Sequence, residues 1–219
     1  MQTEKITERI VSWLKDYAQK ANVKGYIIGV SGGVDSGVVS TLCAMTGLKV
    51  IAVEMPIRQK EDQVNRALEH IQFLENKFPN VEGKSVDLNE PFEALYKTFD
   101  VKDDEFPAEK LAFANTRARL RMLTLYYYGQ INGLLVCGTG NKVEDFGIGF
   151  YTKYGDGGVD VSPIADLYKT EVYALARSLD LPESIKNAIP TDGLWDVDRT
   201  DEQQIGATYP ELEKIQKEW

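Results

Sequence analysis

The segment Gly29-Val30-Ser31-Gly32-Gly33-Val34-Asp35-Ser36 constrains this chain most. It follows the apolar run Tyr26-Ile27-Ile28 and precedes a helical pattern through Val38, Val39, Leu42 and Met45. A strand, a tight Gly-Gly turn and a helix start are predicted in that order. The backbone N–H groups of such a turn, and those of the helix N-terminus, point at an anion. The loop lacks the terminal Lys of GxxxxGK[ST], so it is not the loop that grips β- and γ-phosphates. It carries Asp35 instead, which repels phosphate unless a cation lies between them. The loop therefore reads as a pyrophosphate site using Mg²⁺, suited to chemistry at the α-phosphate of ATP. Gly-Gly beside Ser and Asp also occurs in turns that bind nothing. The flanking strand and helix favour the anion site over that alternative.

The rest of the chain repeats the strand–helix alternation. Ile6, Ile10, Val11, Leu14, Tyr17 and Ala18 predict a helix over 4–21, before a strand at 25–30. After the glycine loop and a helix to about 46, a second strand is expected over 49–53. A helix over 60–77, a strand over 83–88, a helix over 91–99 and a charged loop over 100–107 follow. A long helix over 108–129, a strand over 133–137, a Gly-rich stretch to about 160 and a helix over 169–180 complete the reading. This order implies right-handed crossovers and a parallel sheet: a doubly wound, Rossmann-like α/β fold with flanking helices, formed as a single domain over 1–219. Ligands in such sheets sit beyond the carboxyl ends of the strands, where strand order reverses. The loops after the first and fourth strands lie at two such ends.

Composition narrows the partners. The 219 residues carry a net charge of −9, against nucleic acid as the main partner because phosphate neutralisation dominates such binding. The apolar runs are too short to span a bilayer, and the polar start Met1-Gln2-Thr3-Glu4-Lys5 does not read as a signal peptide. A cytoplasmic protein with no membrane partner is expected. Cys43 and Cys137 have no metal-ligand spacing and read as small core residues of a reduced compartment. The single histidine, His70, excludes a zinc site built from two or three histidines. It is expected at a surface or half-buried position of an amphipathic helix.

A second cluster opens after the fourth strand: Gly138-Thr139-Gly140-Asn141-Lys142-Val143-Glu144-Asp145. Thr139 offers a hydroxyl, and Glu144 a hard oxygen ligand for Mg²⁺. Asp145 stands beside it, so either carboxylate is a candidate ligand. Aromatics, lysines and aspartates then crowd into 150–160 and 162–169, a mixture unlike a plain spacer.

Ser31-Gly-Gly-Val-Asp-Ser36 resembles the loop of ATP pyrophosphatases that adenylate a substrate. Thr152-Lys-Tyr-Gly-Asp-Gly-Gly158, together with Pro190-Thr-Asp-Gly-Leu-Trp195 and Thr200-Asp-Glu202, resembles the NAD⁺ synthetase family specifically. The resemblance covers roughly residues 5–212. It implies a reaction in which the carboxylate of deamido-NAD⁺ attacks the α-phosphate of ATP, releasing pyrophosphate, and ammonia then displaces AMP to give NAD⁺. It implies ATP contacts from Gly29, Val30, Ser31, Gly32, Gly33, Val34, Asp35, Ser36, Thr139, Lys169 and Thr191. It implies Mg²⁺ at Asp35 and Glu144, and deamido-NAD⁺ contacts from Arg119, Lys153 and Asp160. Asp156, Lys153 and Lys169 are the expected catalytic residues, with Asp156 deprotonating ammonium or orienting ammonia.

The Glu144-to-Lys153 spacing is one residue longer than the family pattern. The family's His-Lys tail is not found before Trp219, and no cysteine triad for glutamine hydrolysis is present, so free ammonia or a separate glutaminase is the expected nitrogen source. The family also implies a homodimer. Apolar and aromatic residues on several sides of the long helix, including Tyr126-Tyr-Tyr128, fit either a dimer contact or core packing.

Overall fold

The computed structural model describes residues 2–99, 107–191 and 200–218. It opens with α1 (Thr3–Lys20), β1 (Gly25–Gly29), α2 (Val34–Met45), β2 (Lys49–Glu54) and α3 (Glu61–Lys77). Next come β3 (Val81–Ser85), α4 (Asn89–Thr98), α5 (Pro107–Asn132) and β4 (Leu134–Val136). A π-helical segment spans Lys142–Ile148, and α6 (Lys169–Ser178), α7 (Glu183–Lys186), α8 (Asp201–Ile205) and α9 (Tyr209–Glu218) follow. The strands form one parallel sheet in the order β3-β2-β1-β4. The chain steps outward from β1 to β3, then returns to place β4 on the other side of β1. Strand order therefore reverses between β1 and β4, which puts a crevice over their carboxyl ends.

Alternating side chains of each strand serve opposite faces, as a pleated strand requires. Tyr26 and Ile28 of β1 join Leu14, Val38, Leu42 and Val172 on the face covered by α1, α2 and α6. Ile27 points the other way, with Ile51, Val53 and Val136, toward Phe92 of α4 and Leu120 of α5. Both faces are covered, which is why β1 reads as a continuous apolar run instead of an alternating one. α5 lies so close to the sheet at Gly129 that a Cβ there would sit 3.1 Å from both Ile27 Cγ2 and the Leu134 carbonyl oxygen.

Two expectations need correction. The third strand runs over 81–85, not 83–88. It is the edge strand, and its register is set by pairing of Val81 to Val50 through Ser85 to Glu54 instead of by its own pattern. His70 is fully buried, not at or near the surface. Its Nε2 lies 2.9 Å from Ser40 Oγ, and its ring stacks beside Phe73 with centroids 5.8 Å apart. The two cysteines are buried and unjoined as expected, with sulfurs 3.5 Å apart. The charged loop, and the part of the Pro190–Trp195 signature beyond Thr191, fall largely outside the described residues. Among the described residues, no helix is long and apolar enough to cross a membrane.

Candidate active site

The phosphate-type loop is braced from within. Ser36 Oγ donates to the Gly33 carbonyl at 3.0 Å and accepts from the Ser31 N–H at 3.2 Å, with Ser31 Oγ 3.1 Å away. Gly32 sits at φ +80°, and a Cβ there would lie 2.9 Å from the Gln63 carbonyl oxygen of α3. Only glycine meets both conditions without strain. The loop thereby delivers the first N–H groups of α2 to a cleft lined by Gly29 through Asp35. Ser36 is buried and braces the turn from behind, apart from the cleft wall.

The loop after β4 faces it. Asn141 caps the π-helical segment, its Oδ1 accepting from Val143 and Glu144 N–H at 3.0 and 3.1 Å. A π-helix closes each hydrogen bond over one more residue than an α-helix, and this segment carries Glu144 and Asp145 in its first turn. Thr139, Gly140, Glu144 and Asp145 line the cleft. Asp145 folds back over Gly140 so closely that a Cβ there would fall 1.8 Å from its Oδ2.

Lys169 connects the two loops. Its ammonium contacts Asp35 Oδ2 at 2.7 Å and Glu144 Oε1 at 2.9 Å, with only 3% of its side chain exposed. A lysine at the first position of a helix opposes the helix dipole, and the two carboxylates reverse that penalty. Burial alone would lower its pKa, but Asp35 and Glu144 hold it charged, well above the ordinary lysine value. Burial pushes Asp35 up despite Lys169. For Glu144 burial is outweighed by Lys169 and the Tyr209 hydroxyl, so its carboxyl stays below the usual range. Burial pushes Asp145 up to about 7, reinforced by the charges of Asp156, Glu144 and Asp35. Of the two adjacent carboxylates, it is Glu144 that shares a cation with Asp35.

Sequence reasoning missed the buried support behind Glu144 and Lys169. Tyr209, from α9, donates its hydroxyl to Glu144 Oε1 at 2.5 Å, 3.4 Å from Asp201 Oδ2, and its ring centroid lies 4.9 Å from the Lys169 ammonium. Burial and the Glu144 and Asp201 charges push this phenol far above its ordinary pKa. Glu213 anchors the same helix by accepting from the Thr170 N–H and hydroxyl at 2.9 and 2.8 Å. No local pattern announces these long-range contacts. Glu54, at the carboxyl end of β2, is a second omission; it lines the cleft and accepts from Ser85 Oγ at 2.7 Å.

Thr191 and Asp156 also line the cleft. Asp156 Oδ1 accepts from the Thr152 N–H at 3.0 Å, closing the Thr152–Gly158 turn. That turn lies along α5, where Thr152 donates to Asn115 at 2.7 Å and a Cβ on Gly155 would meet the Ala118 methyl at 2.8 Å. Arg119, Lys153 and Asp160 are not part of the cleft wall, and the structure brings only the first two together. Arg119 donates to the Lys153 carbonyl at 3.3 Å, and Asp160 accepts from the Val136 N–H at 2.8 Å and the Tyr126 hydroxyl at 3.0 Å. The neighbouring arginines face elsewhere, as expected from helical spacing. Arg117 is buried over the Phe92 ring, and Arg121 donates to the Met55 carbonyl at 3.1 Å and to Gln59 at 2.7 Å.

The chain is similar to known proteins over nearly its whole length. An NH(3)-dependent NAD(+) synthetase of Carboxydothermus hydrogenoformans is 42% identical over 212 residues, covering 96% of this chain and 84% of that protein. One from Finegoldia magna is 39% identical over 216 residues, covering 97% and 84%. Among solved structures, NMN synthetase from Francisella tularensis superposes with a TM-score of 0.89 at 32% identity, over 99% of this chain and 87% of that one. An NH3-dependent NAD synthetase from Campylobacter jejuni gives 0.75 at 30% identity, over 100% and 89%. The family model for NAD synthase matches residues 6–218, a span that includes both cleft loops, Lys169 and Tyr209, and the chain belongs to that family.

Proposed function

We propose that this protein makes NAD⁺ from deamido-NAD⁺, ATP and ammonia, through an adenylated carboxylate. The observation that carries the reading is the convergence of Asp35, Glu144 and Lys169 beside an N–H-lined loop, in a chain related over nearly its whole length to ammonia-dependent synthetases. A carboxylate is inert to ammonia because oxide is a poor leaving group. Transfer to the α-phosphate replaces oxide with AMP and expels pyrophosphate. Both reactants are anions, so the step needs positive charge fixed in place before reaction. The loop N–H groups from Gly32 to Asp35 and the N-terminus of α2 hold the departing pyrophosphate. Lys169 supplies a point charge at the phosphate. Thr139 and Thr191, which both line the cleft, contact the nucleotide.

The donor set fits Mg²⁺. Asp35 and Glu144 already converge on one cation, and six carboxylates, Asp35, Glu54, Glu144, Asp145, Asp156 and Asp201, line the cleft against Arg66, Arg121 and Lys169. Among the described residues, no three His, Cys, Asp or Glu side chains form a closed metal cage. Mg²⁺ characteristically takes one or two protein carboxylates and completes its shell with phosphates and water. Asp35 and Glu144 would hold it, and it would neutralise phosphate oxygens.

In the second half-reaction ammonium must lose a proton before attack, and we assign that proton to Asp156, which lines the cleft. Arg119, Lys153 and Asp160 receive the dinucleotide beyond the cleft, along α5. Leu123, Tyr127 and Ile131 form an exposed stripe on that helix, each at least 60% exposed, and a second copy of the chain covers it in a homodimer. The unjoined Cys43–Cys137 pair suits the reducing cytoplasm.

The test is pyrophosphate release from Mg·ATP with deamido-NAD⁺, with and without ammonium. Release that needs deamido-NAD⁺, with NAD⁺ forming only when ammonium is added, is the expected result. No release under any condition removes the reading. Because one structural neighbour is an NMN synthetase, nicotinate mononucleotide is run in parallel; faster turnover of the mononucleotide would reassign the substrate.

A further inference from the structure

Asn141 is fully buried, and its amide joins two elements from different parts of the chain. Its Oδ1 accepts the Val143 and Glu144 N–H groups at 3.0 and 3.1 Å, and its Nδ2 donates to Asp35 Oδ1 at 3.1 Å. A side-chain amide accepts and donates from one rigid plane, which neither a hydroxyl of this reach nor a carboxylate does. Asp35 is consequently held on both oxygens, by Asn141 on Oδ1 and by Lys169 on Oδ2 at 2.7 Å. Glu144 hangs from the backbone that the same amide caps. Asn141 thus ties Asp35 on α2 to the backbone of Glu144 on the π-helical segment, beside the Lys169 ammonium that the two carboxylates share.

We propose that Asn141 is a positioning residue for the cation centre: by bridging Asp35 to the start of the π-helical segment, it sets how Asp35 and Glu144 present their oxygens to a divalent cation. The inference rests on the reading of Asp35 and Glu144 as the Mg²⁺ ligands. Without the Nδ2 donor, the carboxylate of Asp35 turns about its terminal torsion, which is broad and nearly two-fold. The Lys169 contact restrains only one oxygen against that motion. Partners that orient metal ligands typically change affinity or activity by roughly 10–100-fold when lost.

Asn141→Ser separates the two duties of the amide. Serine caps a helix start about as well as asparagine but carries no donor that reaches Asp35. Asn141→Asp is the second variant; it keeps the cap and the size, and removes the donor. Mn²⁺ binding is measured by electron paramagnetic resonance with α,β-methylene-ATP present, for wild type, both variants and Asp35→Asn. Melting temperature, kcat and KM are measured on the same preparations. For Asn141→Ser we expect Mn²⁺ affinity and kcat each about tenfold lower, an unchanged KM for deamido-NAD⁺, and a melting temperature lowered by about 3–12 °C for the lost hydrogen bond to a charged group. Asn141→Asp loses kcat at least as severely. If Asp35→Asn abolishes Mn²⁺ binding while Asn141→Ser keeps wild-type affinity and kcat, Asn141 is only a cap and the inference falls. Should Asn141→Ser not fold, wild-type kcat in Asn141→Asp overturns it equally. If Asp35→Asn binds Mn²⁺ like wild type, the metal assignment itself has failed, and this inference fails with it.

Discussion

Replacing Lys169 by methionine keeps the unbranched stem and most of the volume but removes the cation that Asp35 and Glu144 share at 2.7 and 2.9 Å. The two carboxylates keep only 18% and 15% of their side-chain surface exposed, so water does not take over the role of the ammonium. Breaking a buried pair by deleting one partner costs about 3–5 kcal/mol. The lower end applies, because Glu144 keeps the Tyr209 hydroxyl and Asp35 keeps Asn141. For a chain of this size, each kcal/mol moves the melting temperature by about 2–4 °C. Lys169→Met should therefore melt about 6–12 °C below wild type, measured by calorimetry at pH 7.5 in EDTA. Mg²⁺ should then return part of the loss, since ligand at ten times its Kd stabilises by about 1.4 kcal/mol, or about 3–6 °C. Wild type, whose carboxylates already hold an ammonium, should gain less. A variant that melts within 2 °C of wild type, or that gains no more from Mg²⁺ than wild type does, would refute the description of these groups as a buried cation-binding pair.

Three further outcomes are expected. His70 is buried and its pKa falls from 6.5 to about 4 through desolvation; the unfolded imidazole protonates first, so stability drops as pH falls across that window, by roughly 3 kcal/mol in total. His70→Gln should flatten the acid limb of a urea-melt series, and an unchanged slope would show that the imidazole is not buried neutral. Tyr209→Phe removes one hydrogen bond to a charged group and keeps the ring, so stability should fall by about 1.5–3 kcal/mol; chemical denaturation matching wild type would dismiss the contact. Asp156→Asn should leave pyrophosphate release in the first half-reaction largely intact and slow amidation, whereas equal loss of both would contradict its role with ammonia.

The parts legible in the sequence are those decided locally. The β1–loop–α2 unit could be read because apolar runs, glycines and hydroxyls lie within one stretch of chain, and the sheet order follows from the alternation it starts. β3 was displaced by two to three residues because an edge strand of Val81-Glu-Gly-Lys-Ser85 has little burial pattern of its own and takes its register from β2. The sequence pattern over 142–148 showed no regular element, and the π-helical winding there rests on the Asn141 cap and the packing of α9. His70 reads as a surface or half-buried position of an amphipathic helix because the partner that buries it, α2 around Gly37 and Ser40, lies about thirty residues earlier in the chain. Tyr209 and Asn141 act by contacts spanning 65 and 106 positions, which no local spacing encodes.

The central claim is that the carboxylate of deamido-NAD⁺ attacks the α-phosphate of ATP in this cleft. Its most direct test uses deamido-NAD⁺ labelled with ¹⁸O in the carboxylate, turned over with Mg·ATP and ammonium, with the nucleotide products analysed by mass spectrometry. The account predicts one labelled oxygen in AMP for each NAD⁺ formed, and none in pyrophosphate. Unlabelled AMP, or ADP and phosphate in place of AMP and pyrophosphate, would contradict it.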